Sequence, residues 1–158
     1  MQNAERSNHI ERIRSLPALL ETIVLPLTEE QLLARPLAGE WSVAQNVHHL
    51  ADSHMNAYIR TRLVLTEDHP TIKPYLQERW AELADASSPS IRMSLALLAG
   101  LHMRWAALFE SLPHTAWART GNHPENQRDF SIDDILASYA DHGEAHIRQI
   151  QQTLEAQT

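Results

Sequence analysis

Apolar residues recur at helical spacing over four long stretches of the chain, separated by polar and turn-forming segments. In HIERIRSLPALLETIVL the spacing holds from Ile10 to Leu25. LTEEQLL offers Thr28 as an N-cap with Gln31 at the capping-box position. EWSVAQ repeats the device with Ser42 and Gln45, and the helix it opens runs to about Thr66, where EDHPTIKP breaks it. LQERWAEL reads as a short helical piece. SSPSIRMSLALLAGLHMRWAALFESLP reads as a third long helix, capped by a Ser near Pro89 and stopped by Pro113. RTGNHPENQRDF is rich in turn residues and suits a small hairpin. SIDDILASYADHGEAHIRQIQQTLEAQ is the last long helix, with Ser131 and Asp134 as its capping box.

Four amphipathic helices bury their faces most simply in a four-helix bundle. The expected fold is all-α, with short helices and the hairpin filling the crossovers. No internal repeat or linker divides the chain, so residues 1–158 are expected to form one domain.

Composition narrows the chemistry. Hydrophobic residues make up 43% and glycines number only 4, which disfavours an all-β fold built on tight turns. A formal net charge of -7 argues against a nonspecific nucleic-acid surface. Cysteine is absent, which removes disulfides, thiolate nucleophiles and cysteine-type zinc sites together. No apolar run is long enough to span a membrane and the first residues lack a signal-peptide core, so a cytoplasmic location is expected. The abundant oddity is histidine, with 10 residues.

Helical geometry sorts those histidines by face. On the last helix, His142 and His146 share the side of Ile135, Leu136, Tyr139 and Ile150. Two imidazoles at i and i+4 can grip one metal ion. They can equally be core histidines bonded to backbone or water; about 0.6 such pairs are expected from composition alone. On the second long helix, His54 lies amid the apolar stripe of Val47, Leu50, Ala51 and Tyr58, as a core histidine would. His49 lies opposite, with Ser42, Asn46, Ser53, Asn56 and Arg60, on a stripe that is either solvated or lines a wet cleft. His48 sits apart from both. His102 shares an apolar face with Leu98, Trp105 and Phe109, while His9, His69, His114 and His123 sit near ends or turns and read as surface residues. Trp41, Trp80 and Trp105 read as packing residues, each also able to wall a pocket.

GEWSVAQNVHHLADSHMNAYIRTRLVLTEDHPTIKPY resembles the DinB-like superfamily, and within it the YfiT-type metal-dependent hydrolases, also called bacillithiol transferase-like. The resemblance continues through WAEL, SLALLAGLHMRWAALFESL, HPE and YADHGEAHI, and covers roughly residues 10 to 150. It implies a bundle of up-down-down-up type and a divalent ion, zinc or nickel, held by three histidines. In the family pattern the first ligand lies eight residues after the tryptophan of the WS element, here His49; the others match His142 and His146. Homodimers are implied as well. Two departures stand out. The family's longer N-terminus with a PIG-like element is missing, and Asp141 replaces an aromatic residue before the first histidine of the last motif.

Three neutral imidazoles leave a divalent ion open to water or substrate, which gives metal-dependent hydrolysis as the expected activity. The same ion can activate a thiol, so a thiol S-transferase is the alternative, its thiol a small cosubstrate such as bacillithiol, mycothiol or glutathione. A non-catalytic metal- or small-molecule-binding protein is the rival class, in which His54 or His102 would close a structural site. No residue is assigned as catalytic. Asp52, Asp141 and Glu144 are expected on the surface or behind the ligands. Arg60 is either a surface arginine or a contact for an anionic substrate. The expected partner is a small molecule, with neither nucleic acid nor membrane.

Overall fold

The computed structural model describes residues 1–125 and 128–157. Four long helices build the bundle: α1 (Asn3–Val24), α3 (Val43–Thr66), α5 (Arg92–Glu110) and α6 (Ile132–Glu155). Short α2 (Glu29–Leu33) and α4 (Gln77–Trp80) lie in the crossovers. A 3-10 turn over His114–Ala118 leads into the antiparallel hairpin β1 (Thr120–His123) and β2 (Arg128–Ser131). Asn126 and Gln127, in the turn of that expected hairpin, fall outside the described residues.

The capping boxes at Thr28, Ser42 and Ser131 form as expected. Two helix starts differ from the sequence pattern. α1 begins at Asn3 rather than near Ile10, because Gln2 and Glu5 make a capping box of their own and Arg6 anchors that turn to Asp133 of α6 through two bonds of 2.7 Å. α5 begins at Arg92 behind Ile91, which gives no side-chain cap; the Ser88 hydroxyl is spent on the Ser90 amide instead.

α1 packs on α5 and α6, and α3 packs on the same two, so α1 and α3 occupy opposite corners. Side-chain pairs fix the directions. Arg6 meets Asp133 and Arg12 meets Glu144, so α1 and α6 run parallel. His54 meets His102 and Thr61 meets Trp105, so α3 and α5 run parallel. His49 meets His142 while Arg60 meets Tyr139, so α3 and α6 are antiparallel. The arrangement is up-down-down-up.

Two apolar clusters fill the bundle. One is centred on Leu20, Val47, Leu50, Leu98 and Ile150, the other on Ile13, Trp105, Phe109, Ile132 and Leu136. Fully burying such side chains contributes roughly 1.5–3 kcal/mol each. Between the clusters lies a band of histidines. No helix among the described residues is long and apolar enough to cross a membrane.

Candidate metal centre

α3 supplies His49 and α6 supplies His142 and His146. Antiparallel packing brings the three together, and one ring nitrogen of each lies within 4.8 Å of the others. His49 Nε2 is 3.3 Å from His142 Nε2, and His146 Nε2 is 3.2 Å from the same atom. His49 and His146 are buried and His142 is half-buried.

Behind each α6 imidazole stands a polar partner. Asn46 donates its amide N–H to the Ser42 carbonyl at 3.0 Å, which turns Asn46 Oδ1 toward His146 Nδ1 at 2.8 Å. That oxygen only accepts, so His146 carries its proton on Nδ1 and presents a bare Nε2 to the cluster. His142 Nδ1 meets His54 Nε2 at 3.1 Å. His54 Nδ1 meets His102 Nε2 at 2.9 Å, and His102 Nδ1 meets the Ile13 carbonyl at 2.6 Å.

The surroundings keep these rings neutral. Burial, with the neighbouring His146, pushes the His49 imidazole down to about 3. Burial and the other two histidines push His142 down to about 3. Burial takes His146 to about 4 against an opposing bond from Gln149, and takes His102 to about 4. Fully buried His54 is held well below the ordinary imidazole range.

The donor set fits a divalent ion. Metal–nitrogen bonds of about 2.0–2.1 Å place tetrahedral ligand nitrogens about 3.3–3.4 Å apart. The two Nε2 separations here are 3.2 and 3.3 Å. Neutral imidazoles with the far nitrogen tied to an acceptor are what metal ligation requires.

Trp41 covers the cluster, its ring 4.6 Å from that of His49 and stacked 6.1 Å from that of His146. Its indole N–H donates to Glu78 Oε2 at 3.1 Å. Glu40, Trp41, Glu78, His142, His146 and Gln149 line an open hollow, so the cluster reaches solvent past two carboxylates. Neither Glu40 nor Glu78 stands out in the sequence. Glu78 follows a break, outside any histidine pattern, and only the folded crossover carries it over the site.

The other sequence candidates scatter. The stripe shared by His49 is not a solvated face: Ser42, Asn46 and Ser53 are buried with it, Asn46 against His146 of α6. Asn56 bonds the Asp52 carbonyl. Arg60 reaches the Tyr139 hydroxyl and the Lys73 carbonyl, and its guanidinium lies 5.9 Å from the Tyr75 ring. His48 is buried rather than idle: its ring nitrogens are 2.8 Å from the Ser94 hydroxyl and from the Ser88 carbonyl, pinning α3 to the start of α5. Asp141 and Glu144 turn away to Arg12 of α1. Asp52 lines a separate hollow with His48 and Asp85, where burial and Asp85 raise its carboxyl above the usual range. Of the histidines read as surface residues, His69 and His114 are exposed, while His9 and His123 are half-buried.

The comparisons agree with this architecture. The model of the DinB superfamily matches residues 12–150. A protein of Oceanobacillus iheyensis named "putative metal-dependent hydrolase" is 47% identical over 141 residues, spanning 89% of this chain and 81% of its own. YfiT of Bacillus subtilis, named likewise, is 40% identical over 146 residues, 92% of this chain and 82% of its own. The solved structure of YfiT, described as a probable metal-dependent hydrolase with an unusual four-helix bundle topology, superposes with a TM-score of 0.94 at 38% identity, covering 97% of this chain and 87% of that one. On family match, identity and bundle topology together, the chain belongs to the DinB superfamily.

Proposed function

We propose that the protein is a metal-dependent hydrolase whose divalent ion, zinc or nickel, is held by His49, His142 and His146. The observation that supports this most directly is the convergence of the three imidazoles, two of their contacts at 3.2 and 3.3 Å. The relatives' names point the same way. When bound, such an ion supplies Lewis acidity, polarising a carbonyl-type bond and making water a nucleophile near neutral pH.

The chain's own groups do the rest. His146 is oriented by Asn46, and the low pKa values of the cluster keep its rings neutral, with one nitrogen of each free of a proton. Trp41 shields the imidazoles on one side and leaves the hollow beside Glu40 and Glu78 open. Glu78 is the carboxylate that Trp41 holds in place, its Oε2 taking the indole N–H and its Oε1 the Gln77 side-chain amide at 3.4 Å, and it is the group we assign to accept a proton from the attacking water. Small molecules fit the hollow, whereas Arg60 lines a separate pocket with His123, Phe130 and Tyr139.

A thiol S-transferase is the second reading; with no cysteine in the chain, its thiol would enter through the same hollow as a cosubstrate. A cytoplasmic homodimer completes the proposal.

Metal analysis of wild type, His49→Ala and His142→Ala tests the ligand set. The expected result is about one divalent ion per chain in wild type and loss in both variants; unchanged metal content in both would sink the proposal. An ester and amide panel beside a thiol-transfer assay then separates the two activities.

A further inference from the structure

We infer that the Ile13 carbonyl, released by Pro17, and the rings of His102 and His54 form a directed hydrogen-bond relay that sets the tautomer of His142, so that Nε2 of that residue is bare where an ion would be held. The inference rests on the metal reading above, and it begins far from the site, at a proline inside α1.

A residue at position 17 of an α-helix ordinarily donates its backbone N–H to the carbonyl of residue 13. Pro17 has no N–H, and its ring crowds that carbonyl outward. The Ile13 oxygen is therefore released from the helix ladder, and it is the oxygen that His102 Nδ1 meets at 2.6 Å. A carbonyl only accepts, so His102 must carry its proton on Nδ1. A second proton on this fully buried ring would leave a charge in the core, and burial opposes it.

With Nδ1 protonated, His102 Nε2 is an acceptor. It faces His54 Nδ1 at 2.9 Å, so His54 donates from Nδ1 and offers Nε2 as an acceptor in turn. His54 Nε2 faces His142 Nδ1 at 3.1 Å, so His142 also donates from Nδ1. The reverse direction would set a bare His102 nitrogen against the Ile13 oxygen, two lone pairs in contact.

The consequence appears at the cluster. His142 Nε2 and His146 Nε2 lie 3.2 Å apart, yet the relay and Asn46 leave both as acceptors. Two acceptors at that distance repel unless a cation lies between them. The relay draws one residue from each bundle helix, Ile13 of α1, His102 of α5, His54 of α3 and His142 of α6. His54 and His102 are thus positioning residues, acting on an ion only through His142.

Two measurements test this. In metal-free wild type, long-range nitrogen–proton correlation spectra should show His102, His54 and His142 each protonated at Nδ1 with Nε2 bare. An Nε2-protonated His142 would overturn the relay. Zinc affinity by chelator competition should fall about 10–100-fold in His54→Leu, which removes the acceptor. It should stay within about threefold in His54→Gln, whose carbonyl can accept from His142. A plain packing role predicts the reverse order, because Leu suits a core better than Gln, and equal affinities would also overturn the inference. If wild type takes up no zinc, the hydrolase proposal fails, and the nitrogen spectra still judge the relay. Pro17→Ala, which returns a helical donor to the Ile13 oxygen, should disturb the His102 Nδ1 proton resonance; an unchanged resonance counts against the chain's origin at Pro17.

Discussion

Gly143 lies against Leu16 so closely that a Cβ added to it would sit 2.6 Å from Leu16 Cδ2. The glycine stands between two of the cluster histidines, on the side of α6 that faces α1, so its missing side chain sets how near α6 approaches. Gly143→Ala should gain about 0.5–1 kcal/mol of helix propensity and lose about 1–3 kcal/mol to overpacking. The expected net effect is a Tm lower by a few degrees and weaker zinc uptake. Leu16→Val should relieve part of both, which a double-mutant cycle would read as favourable coupling; strict additivity would contradict the contact.

Asn46 holds His146 through a carbonyl oxygen aimed by the Ser42 backbone. Asn46→Ala should weaken zinc binding about 10–100-fold. Asn46→Asp keeps an acceptor toward His146 and should retain most of the affinity. Calorimetric titration of zinc into both variants checks the order.

The metal-free protein should lose stability in acid. His49 and His142 titrate at about 3 in the folded chain, and His146 and His102 at about 4, against 6.5 for an unperturbed imidazole. Between those values the unfolded chain binds more protons than the folded one, so stability rises with pH across this window and levels off above about 6.5. Urea midpoints measured from pH 4 to 8 should climb and then flatten. His49→Ala should reduce the slope below pH 6.

Glu78 meets the site through the Trp41 indole. Glu78→Gln should keep metal content at the wild-type level and lower turnover of any substrate found in the hydrolysis panel by about 10²–10⁴-fold. Trp41→Phe should give a smaller loss, since it releases Glu78 without removing it. Full activity in Glu78→Gln would move the proton acceptor elsewhere, with Glu40 the neighbouring carboxylate.

The bundle was legible because its helix starts are written locally, in Thr28–Gln31, Ser42–Gln45 and Ser131–Asp134. His142 and His146 were legible for a similar reason: one helix carries both, and its apolar stripe tells which way they face. His49 was not. Residues 42–51 are buried without a break, because α3 touches α5 and α6 on two sides and the crossover lies over a third. A helix enclosed on three sides has no polar face to read, so periodicity left His49 on a stripe either solvated or lining a wet cleft, and only the family resemblance pointed to it as a ligand. That crossover has little periodicity of its own, which hid Glu78 as well. Pro17 lies inside α1, and its meaning depends on His102, 85 positions further along.

His49 and His142 stand 93 positions apart in sequence. An ion held between them would close most of the chain into a single loop, as a long-range disulfide does. With no cysteine anywhere in the sequence, no disulfide can make such a tie. The cross-link between the chain's two halves would therefore be blind to thiol redox state and answer instead to the free concentration of metal.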